Sequence, residues 1–290
     1  MKLGLFYFSG TGNTKKILDL WTKSLEDNSI SFDMFNIDNT NPKDLDLSSY
    51  DKVAFFYPIH AFNAPLIVLD FAKSLNKLDN PIKCFFVMVS GEYLVLNNSS
   101  GMKLKRILKR KNIIVESDYH YIMPYNMIFR HTEANAFKMY ETAKEIIPLH
   151  VKDYILDSKI HKTRKFFLAG PILFLFRIEQ LFAPINGKHF KVNMDKCIKC
   201  MKCVNNCPVK NIEFKDDKFV FSNKCVLCTR CSFNCPKDAF KIGLLNNWRV
   251  NKPYAFKEPQ EVEVDKHKNF CKGSYKRYYK EADEIVKSHS

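Results

Sequence analysis

A cysteine repeat constrains the fold of this chain more than any other feature of its sequence. The segment DKCIKCMKCVNNCP, which begins at Asp195, returns as NKCVLCTRCSFNCP 28 residues later, and both copies follow the pattern C-x2-C-x2-C-x3-C-P. The first three thiols of such a run lie on a tight loop that can cap three corners of an iron–sulfur cube, whereas the fourth is too distant along the chain to close that cube easily. Structural zinc sites use C-x2-C pairs separated by longer loops, so zinc matches this spacing poorly.

The two runs resemble those of the bacterial two-cluster ferredoxins. In that family the fourth cysteine of each run ligates the other cluster, and the proline after it turns the chain away from the ligand. The resemblance implies two [4Fe-4S] clusters that carry single electrons at low potential. It assigns one cluster to Cys197, Cys200, Cys203 and Cys235, and the other to Cys225, Cys228, Cys231 and Cys207.

The other cysteines and the start of the chain bear on the cellular compartment. Eight of the ten cysteines lie between Cys197 and Cys235. After its first two residues the chain enters an apolar run at once, without the pattern of a cleaved signal peptide. We therefore expect a cytoplasmic protein, whose clustered thiols are metal ligands in a reducing environment. Cys84, inside KCFFVMV, is expected to be a buried strand residue, and neither it nor Cys271 is assigned to a cluster.

The composition divides the chain into four segments. Residues 1–165 alternate between strand-like and helix-like pieces, which predicts a doubly wound α/β domain with a parallel sheet. Residues 166–186 form an apolar connector, and residues 187–245 form a small cysteine-dense α+β domain. Residues 246–290 form a lysine-rich basic tail, predicted to end in a surface helix, to which we assign no chemical role.

The stretch FSGTGNTKK, residues 8–16, lies between the first predicted strand and the first predicted helix. Backbone N–H groups in such a turn, together with the positive end of the helix, bind anions. A dinucleotide requires G-x-G-x-x-G, whose third glycine is here Lys15, and the triphosphate pattern G-x4-G-K-[ST] is absent. A phosphate monoester such as that of FMN requires many donors, and the turn supplies Ser9, Thr11, Asn13 and Thr14. The alternative is an ordinary strand–helix turn capped by Ser and Thr.

This turn resembles the phosphate loop of flavodoxins, and the β–α order agrees along residues 1–165. The resemblance implies a five-stranded parallel sheet in the order 2-1-3-4-5, with FMN outside the β1/β3 switch point. It implies contacts to FMN from the loops after the first, third and fourth strands, with the ring-stacking residue left open. The expected cofactor-binding residues are Ser9, Gly10, Thr11, Gly12, Asn13, Thr14, Pro58, Ile59, His60, Ala61, Phe62, Ser90, Gly91, Glu92 and Tyr93.

The formal charge of +15 and two surface segments bear on possible partners. KLKRILKRK, Lys103–Lys111, has apolar residues at helical spacing, which predicts a solvated basic helix face or a dock for an acidic redox protein. No base-reading motif accompanies this charge, so we do not expect a nucleic-acid partner. FFLAGPILFLF, Phe166–Phe176, is too short to span a bilayer. It is expected to dock between the domains, with peripheral membrane contact by residues 166–185 as the alternative.

The architecture as a whole resembles the flavodoxin–ferredoxin fusions of anaerobes, known as ferrodoxins. MPYN at Met123–Asn126 and the Asn247–Arg249 segment echo that family, with no chemistry assigned to them. We therefore expect an oxidoreductase that transfers electrons between two [4Fe-4S] clusters and FMN, linking a low-potential redox partner to a two-electron step. One alternative is an FMN-dependent reductase of a small-molecule acceptor such as a quinone or nitroaromatic compound. Another is a non-enzymatic iron–sulfur sensor or interaction module.

Overall fold

Five parallel strands in the order β2-β1-β3-β4-β5 form the sheet of the first domain. The computed structural model describes residues 1–258 and 268–290, except for the side chains of Glu179 and residues 268–272. The three central strands are buried at nearly every residue because helices cover both faces of the sheet. The predicted sheet order is confirmed. The strands are β1 (Lys2–Tyr7), β2 (Ser31–Asn36), β3 (Lys52–Pro58), β4 (Ile82–Ser90) and β5 (Ile113–Ile122).

Four helices pack on this sheet, two on each face. Trp21 of α1 and Ile146 of α4 belong to the core on one face, while Leu69 of α2 and Leu104 of α3 belong to the core on the other. Cys84 of β4 is fully buried in this second core, as predicted. The Cys271 side chain lies outside the described residues. The helices are α1 (Asn13–Asp27), α2 (Leu66–Ser74), α3 (Met102–Lys109) and α4 (Glu133–Val151), the last continuing into a π-helical turn at Lys152–Leu156.

The apolar connector forms helix α5 (Ala169–Lys188), which contacts the first domain and, through Asn186, the cysteine-rich region. Gln180 of this helix donates a hydrogen bond from Nε2 to the His60 carbonyl at 2.9 Å, and Asn63 donates from Nδ2 to the Leu173 carbonyl at 3.1 Å. In the described parts of the chain, no helix combines the length and apolar character needed to cross a membrane.

The cysteine-rich region repeats its backbone as well as its sequence. Met201 and Thr229, 28 residues apart, precede equivalent short helices and have φ values of 56° and 55°. The region contains two antiparallel strand pairs, β6 with β9 and β7 with β8, around a small apolar core. Its elements are β6 (Phe190–Val192), α6 (Lys202–Asn205), β7 (Ile212–Lys215), β8 (Lys218–Phe221), α7 (Arg230–Phe233) and β9 (Phe240–Ile242).

The last helix, α8 (Lys268–Lys287), returns to the first domain and packs against α4. Tyr278 and Ala282 of α8 are buried in the core beside that helix. Residues 259–267 of the predicted tail lie outside the described residues. The tail, to which the sequence assigned no role, therefore contributes apolar side chains to the α/β domain.

Candidate functional site

A cavity of about 420 Å³, here called the main cavity, lies between the carboxyl ends of β1, β3 and β4 and the second cysteine run. Its volume lies within the range typical of small-molecule sites, about 300–1,000 Å³. Thirteen of the fifteen residues predicted to contact a cofactor line it. They are Ser9, Gly10, Thr11, Asn13, Thr14, Pro58, Ile59, His60, Ala61, Phe62, Ser90, Gly91 and Glu92.

The two other predicted residues, Gly12 and Tyr93, are not part of this lining. Gly12 is the N-cap of α1 at φ 103°, a left-handed conformation that favours glycine. The Tyr93 ring stacks on His120 at 5.0 Å between centroids, and its hydroxyl donates to Glu281 Oε2 at 2.6 Å. Gly12 therefore shapes the turn, and Tyr93 packs the loop after β4 against α8.

The Ser9–Thr14 turn presents N–H groups to the main cavity. Ser9 Oγ accepts hydrogen bonds from the N–H groups of Gly12 and Lys15, at 3.2 and 3.3 Å, which fixes the turn. The N–H groups of Asn13 and Thr14 lie in the first turn of α1, where a helix has no internal acceptor for them. That first turn carries no acidic side chain. The geometry therefore suits an anion such as a terminal phosphate.

Asn13 does not supply the side-chain donor that the sequence predicted. Its Nδ2 donates to the Pro124 carbonyl at 2.7 Å and to Asn126 Oδ1 at 3.3 Å, so the amide holds the loop after β5 in place. The hydroxyls of Thr11 and Thr14 have no hydrogen-bond partner within residues 1–258 and 268–290. These two hydroxyls therefore remain available to a ligand.

The loop after β3 forms one wall of the main cavity. His60 and Asn63 exchange backbone hydrogen bonds at 2.9 and 2.8 Å, which close the loop into a tight turn. Burial lowers the pKa of His60 to about 4, so its imidazole is neutral at pH 7. The Phe62 ring packs on Phe176 of α5 at 4.7 Å between centroids, so the connector supports this wall.

Two aromatic residues of the main cavity, Tyr125 and Trp248, had no predicted role. A Cβ atom at Gly91 would lie 2.3 Å from the Tyr125 ring, so only glycine allows this ring to approach the loop after β4. Trp248 also lines the cavity, and its carbonyl accepts from the Ile128 N–H at 2.7 Å. Both belong to the segments MPYN and Asn247–Arg249, the only signal in the sequence that could have found them.

The second cysteine run forms the wall opposite the α/β domain. Val226, Leu227, Cys228 and Thr229 all line the main cavity. A Cβ atom at Gly10 would lie only 2.5 Å from the Cys228 carbonyl oxygen, so the Ser9–Thr14 turn and this run are in direct contact.

Arg230 of α7 bridges the two domains. Its guanidinium donates to the carbonyls of Ser9 at 2.7 Å and Gly10 at 3.2 Å, and to that of Asn206 at 3.0 Å. It also pairs with Asp38 Oδ2 at 2.5 Å, and both side chains are largely buried. Asp38 therefore has a structural partner. Because Arg230 binds two carbonyls of the Ser9–Thr14 turn, those oxygens point away from an anion held by the N–H groups.

The eight clustered thiols fall into two groups. An outer set, Cys197, Cys200, Cys203 and Cys235, lines a second cavity, which Cys231 also borders. The inner set consists of Cys207, Cys225, Cys228 and Cys231. Burial, and then the neighbouring Cys228, Cys225 and Cys207, raise the pKa of Cys231 well above its usual value. The ferredoxin resemblance assigned one cluster to each of these sets, and that assignment stays a prediction.

The two sets differ in exposure. Cys200 of the outer set is exposed to solvent. Burial raises the pKa of Cys228 to about 12 and that of Cys225 to about 11 in the inner set, and that of Cys203 to about 11 in the outer set, so the exposed Cys200 carries the difference. Backbone N–H groups donate to sulfur in both sets, from Leu227 to Cys225 Sγ and from Ala239 to Cys235 Sγ, each at 3.4 Å. Among the described residues, no group of three or more His, Cys, Asp or Glu is arranged to hold a single metal ion.

Two family models match this chain, one for each half of the site. A flavodoxin domain model matches residues 5–104, and a 4Fe-4S dicluster domain model matches residues 196–239. No curated protein sequence gives a significant match.

Solved structures with a similar fold include two flavodoxins and a putative reductase. The flavodoxin of Streptococcus pneumonia TIGR4 is 16% identical, with 52% of this chain and 100% of that chain covered and a TM-score of 0.37. Megasphaera elsdenii flavodoxin is 18% identical, with coverages of 50% and 98% and a TM-score of 0.35. A putative quinone reductase from Klebsiella pneumoniae is 10% identical, with coverages of 60% and 93% and a TM-score of 0.42.

The sheet order and the two family models lead to one assignment. A flavodoxin domain implies FMN, and a 4Fe-4S domain implies iron–sulfur chemistry, so the two together imply electron transfer. The chain is a flavodoxin-like domain fused to a 4Fe-4S ferredoxin-like domain.

Proposed function

We propose that this protein transfers electrons between a redox partner and FMN through two [4Fe-4S] clusters, one in each set of cysteines. The observation that carries the proposal is the shared wall of the main cavity, where the inner cysteine run meets the Ser9–Thr14 turn. A cluster on the inner set is then the neighbour of FMN, and one on the exposed outer set is accessible to a partner. When bound, these centres would supply one-electron transfer between the partner and the flavin.

The residues of the main cavity fit FMN. The N–H groups of Asn13 and Thr14 and the hydroxyls of Thr11 and Thr14 supply donors for its phosphate. Tyr125, Trp248 and the neutral His60 supply flat side chains for its ring. When bound, FMN supplies the ability to accept two electrons and return them singly. The residues of the main cavity would hold the ring on the wall that they share with the second cysteine run.

The surroundings of the thiols tune the two clusters differently. Burial and N–H···S hydrogen bonds are the main protein contributions to the potential of an iron–sulfur cluster. Both sets receive such bonds, whereas only the outer set includes an exposed thiol, Cys200. Ile198, beside it, is 56% exposed, so an apolar contact for a redox protein lies next to the outer cluster.

The proposal assigns one role to each segment of the chain. Residues 1–165 form the FMN-binding domain, residues 187–245 form the two-cluster domain, and residues 166–186 connect them. From the tail, Ser274 donates to Glu92 Oε1 at 2.8 Å and Tyr275 donates to the Gly91 carbonyl at 2.6 Å. The tail thereby supports the loop after β4, which borders the proposed FMN site.

The test is anaerobic purification with reconstitution, followed by counts of flavin, iron and sulfide. We expect one FMN and about eight irons and eight sulfides per chain, the content of two four-iron clusters. Reduction of FMN by a protein donor should fall at least about tenfold in Cys200→Ala, because the exposed outer cluster is lost. Cys84→Ala, which removes a thiol from the sheet, is the matched control and should keep both counts.

Three outcomes would contradict the proposal. A reconstituted protein without flavin absorbance would exclude the FMN role. A count of four irons in the wild-type chain would exclude the second cluster. Unchanged FMN reduction in Cys200→Ala would show that electrons reach the flavin without the outer cluster.

A further inference from the structure

Helix α5 presents an apolar stripe to solvent. Its exposed residues recur every three or four positions, so they share one side of a helix of 20 residues, about 30 Å long. Phe167, just before the helix, is 85% exposed, and Phe174 is 67% exposed. The exposed large apolar residues are Phe167, Phe174, Leu175, Ile178, Leu181, Phe182 and Ile185.

The helix cannot rotate to bury this stripe, because its other side is fixed. Gln180 donates to the His60 carbonyl, and the Leu173 carbonyl accepts from Asn63. Near the helix end, Asn186 donates from Nδ2 to the Ile242 carbonyl at 3.1 Å, and its Oδ1 accepts from the Leu244 N–H at 2.9 Å. Contacts to both domains therefore hold the stripe outward. Exposed apolar surface of this extent is characteristic of an interaction site.

Basic side chains lie along one edge of the stripe. Arg177 of α5 donates to Asn63 Oδ1 at 3.5 Å, at the side of the helix that meets the first domain, and Lys103 and Arg106 belong to α3. In agreement with a short distance between these two helices, burial and Arg177 lower the pKa of Lys103, and burial and Arg106 lower that of Arg177. The backbone explains this proximity, because the Ala64 N–H donates to the Ser100 carbonyl at 3.1 Å and joins the loop under α5 to the start of α3. The basic helix and the apolar helix thus share one surface.

The chemistry of this surface favours one occupant. A second copy of the chain would bring its own charge of +15 against the same cations, and the two would repel. Most exposed side chains of the stripe are Phe and Leu, which helices lying in a membrane interface bury at the boundary between headgroups and acyl chains. Apolar side chains with flanking cations are the pattern of a helix that lies in the interface of a membrane with anionic lipids.

We propose that the α5 stripe and its basic edge form a docking surface for an anionic lipid bilayer, with α5 parallel to the membrane plane. The apolar side chains enter the boundary between headgroups and acyl chains, and Lys103, Arg106 and Arg177 contact lipid phosphates. Helix α5 thus docks on both domains through one side, and the proposal adds peripheral membrane contact by residues 166–185 through the other.

The test is co-sedimentation of the full reconstituted chain with vesicles. We expect binding to phosphatidylcholine vesicles that contain about a third phosphatidylserine, and at least tenfold weaker binding to pure phosphatidylcholine. Raising the salt from about 0.1 to about 0.5 M should weaken binding to the anionic vesicles several-fold. Equal binding to both vesicle types, or to neither, would overturn the proposal.

Two pairs of variants separate the stripe from general charge effects. Leu175→Glu with Phe182→Glu should reduce binding to anionic vesicles at least tenfold. Met34→Glu with Val220→Glu is the control, because it adds the same charge at apolar side chains outside the stripe that are 46% and 49% exposed. This control pair should reduce binding to anionic vesicles less than about twofold. Flavin and iron counts verify that each variant is folded. The proposal is overturned if both pairs bind alike, or if the stripe variants keep vesicle binding and instead dissociate a dimer or release an acidic protein.

Discussion

The two cysteine runs have the same backbone conformation, but the first is partly exposed to solvent and the second faces the flavodoxin-like domain. The first run exposes Cys200 and Ile198, and its Lys199 pairs with Asp217 in the same domain. The second run lines the main cavity and touches the Ser9–Thr14 turn through Cys228. Twenty-eight residues separate Lys202, exposed at the start of α6, from Arg230 at the start of α7, which bridges the domains.

This difference shows how two equivalent cysteine runs can have different neighbours in the same protein. The ligand spacing is fixed by the cluster, so the thiols and the left-handed positions between them recur in both runs, although the residues at those positions differ. The residues that point away from the cluster are free to differ, and they decide which run faces the flavodoxin-like domain. A change from lysine to a planar, forked guanidinium supplies donors to several carbonyls at once.

Among these variants, removal of the fourth cysteine of a run should have the largest effect, which is on iron content. We expect Cys235→Ala to lose about half of the iron, because its cluster lacks one ligand. Cross-ligation predicts that Cys200→Ala with Cys235→Ala still keeps about four irons, since both changes affect one cluster. Cys228→Ala with Cys235→Ala should keep none. The reverse pattern of iron counts would mean that each run binds its own cluster.

Loss of the domain bridge should have the next largest effect. Arg230→Ala leaves Asp38 buried without its partner, and breaking a buried ion pair costs about 3–5 kcal/mol. We expect the opening free energy of residues 9–12, measured by hydrogen exchange, to fall by up to about this amount. Lys202→Ala is the matched control and should leave it unchanged. Equal protection in both variants would mean that Arg230 does not hold the turn.

A single hydroxyl of the Ser9–Thr14 turn should have a smaller effect. Thr11→Ala should weaken FMN binding by about 1–3 kcal/mol, because a buried phosphate oxygen loses a donor. Thr11→Ser keeps the hydroxyl and should restore most of the affinity, as measured by titration of the apoprotein with FMN. Wild-type affinity in the alanine variant would remove Thr11 from the phosphate site.

The stability of the flavodoxin-like domain should fall in acid because of the buried His120. Burial lowers the pKa of His120 to about 3, and its ring nitrogens contact Ser90 Oγ at 2.7 Å and Asn98 Oδ1 at 2.6 Å. The unfolded chain binds a proton there near pH 6.5 and the folded chain does not, so stability falls as the pH drops below that value.

The measurable quantity is the slope of the unfolding free energy against pH. We expect His120→Gln to flatten it by up to about 1.4 kcal/mol per pH unit, in urea unfolding followed between about pH 5 and pH 7. His189→Gln changes an exposed histidine near β6 and is the control. Identical slopes for wild type and His120→Gln would show that this residue titrates alike in both states.

Much of the fold was predictable because it depends on local patterns. Apolar runs separated by helical segments predicted the parallel sheet, and the resemblance to flavodoxins implied its strand order. The direction of the Asn13 amide was not predictable, because its acceptor, the Pro124 carbonyl, lies 111 residues away. The same applies to Arg230, whose contacts depend on how two domains pack rather than on either run alone.

The contacts of α8 determine when the chain can complete its α/β domain during synthesis. The hydroxyl of Tyr93 donates to Glu281, and Arg277 donates to the Tyr93 carbonyl at 2.8 Å, so residues 188 and 184 positions apart meet at the loop after β4. The ribosome must therefore finish both cysteine runs before the helix that supports this loop emerges. The α/β domain is therefore complete only after α8 has been synthesised, and the iron-binding region is an insertion between β5–α4 and α8 of that domain.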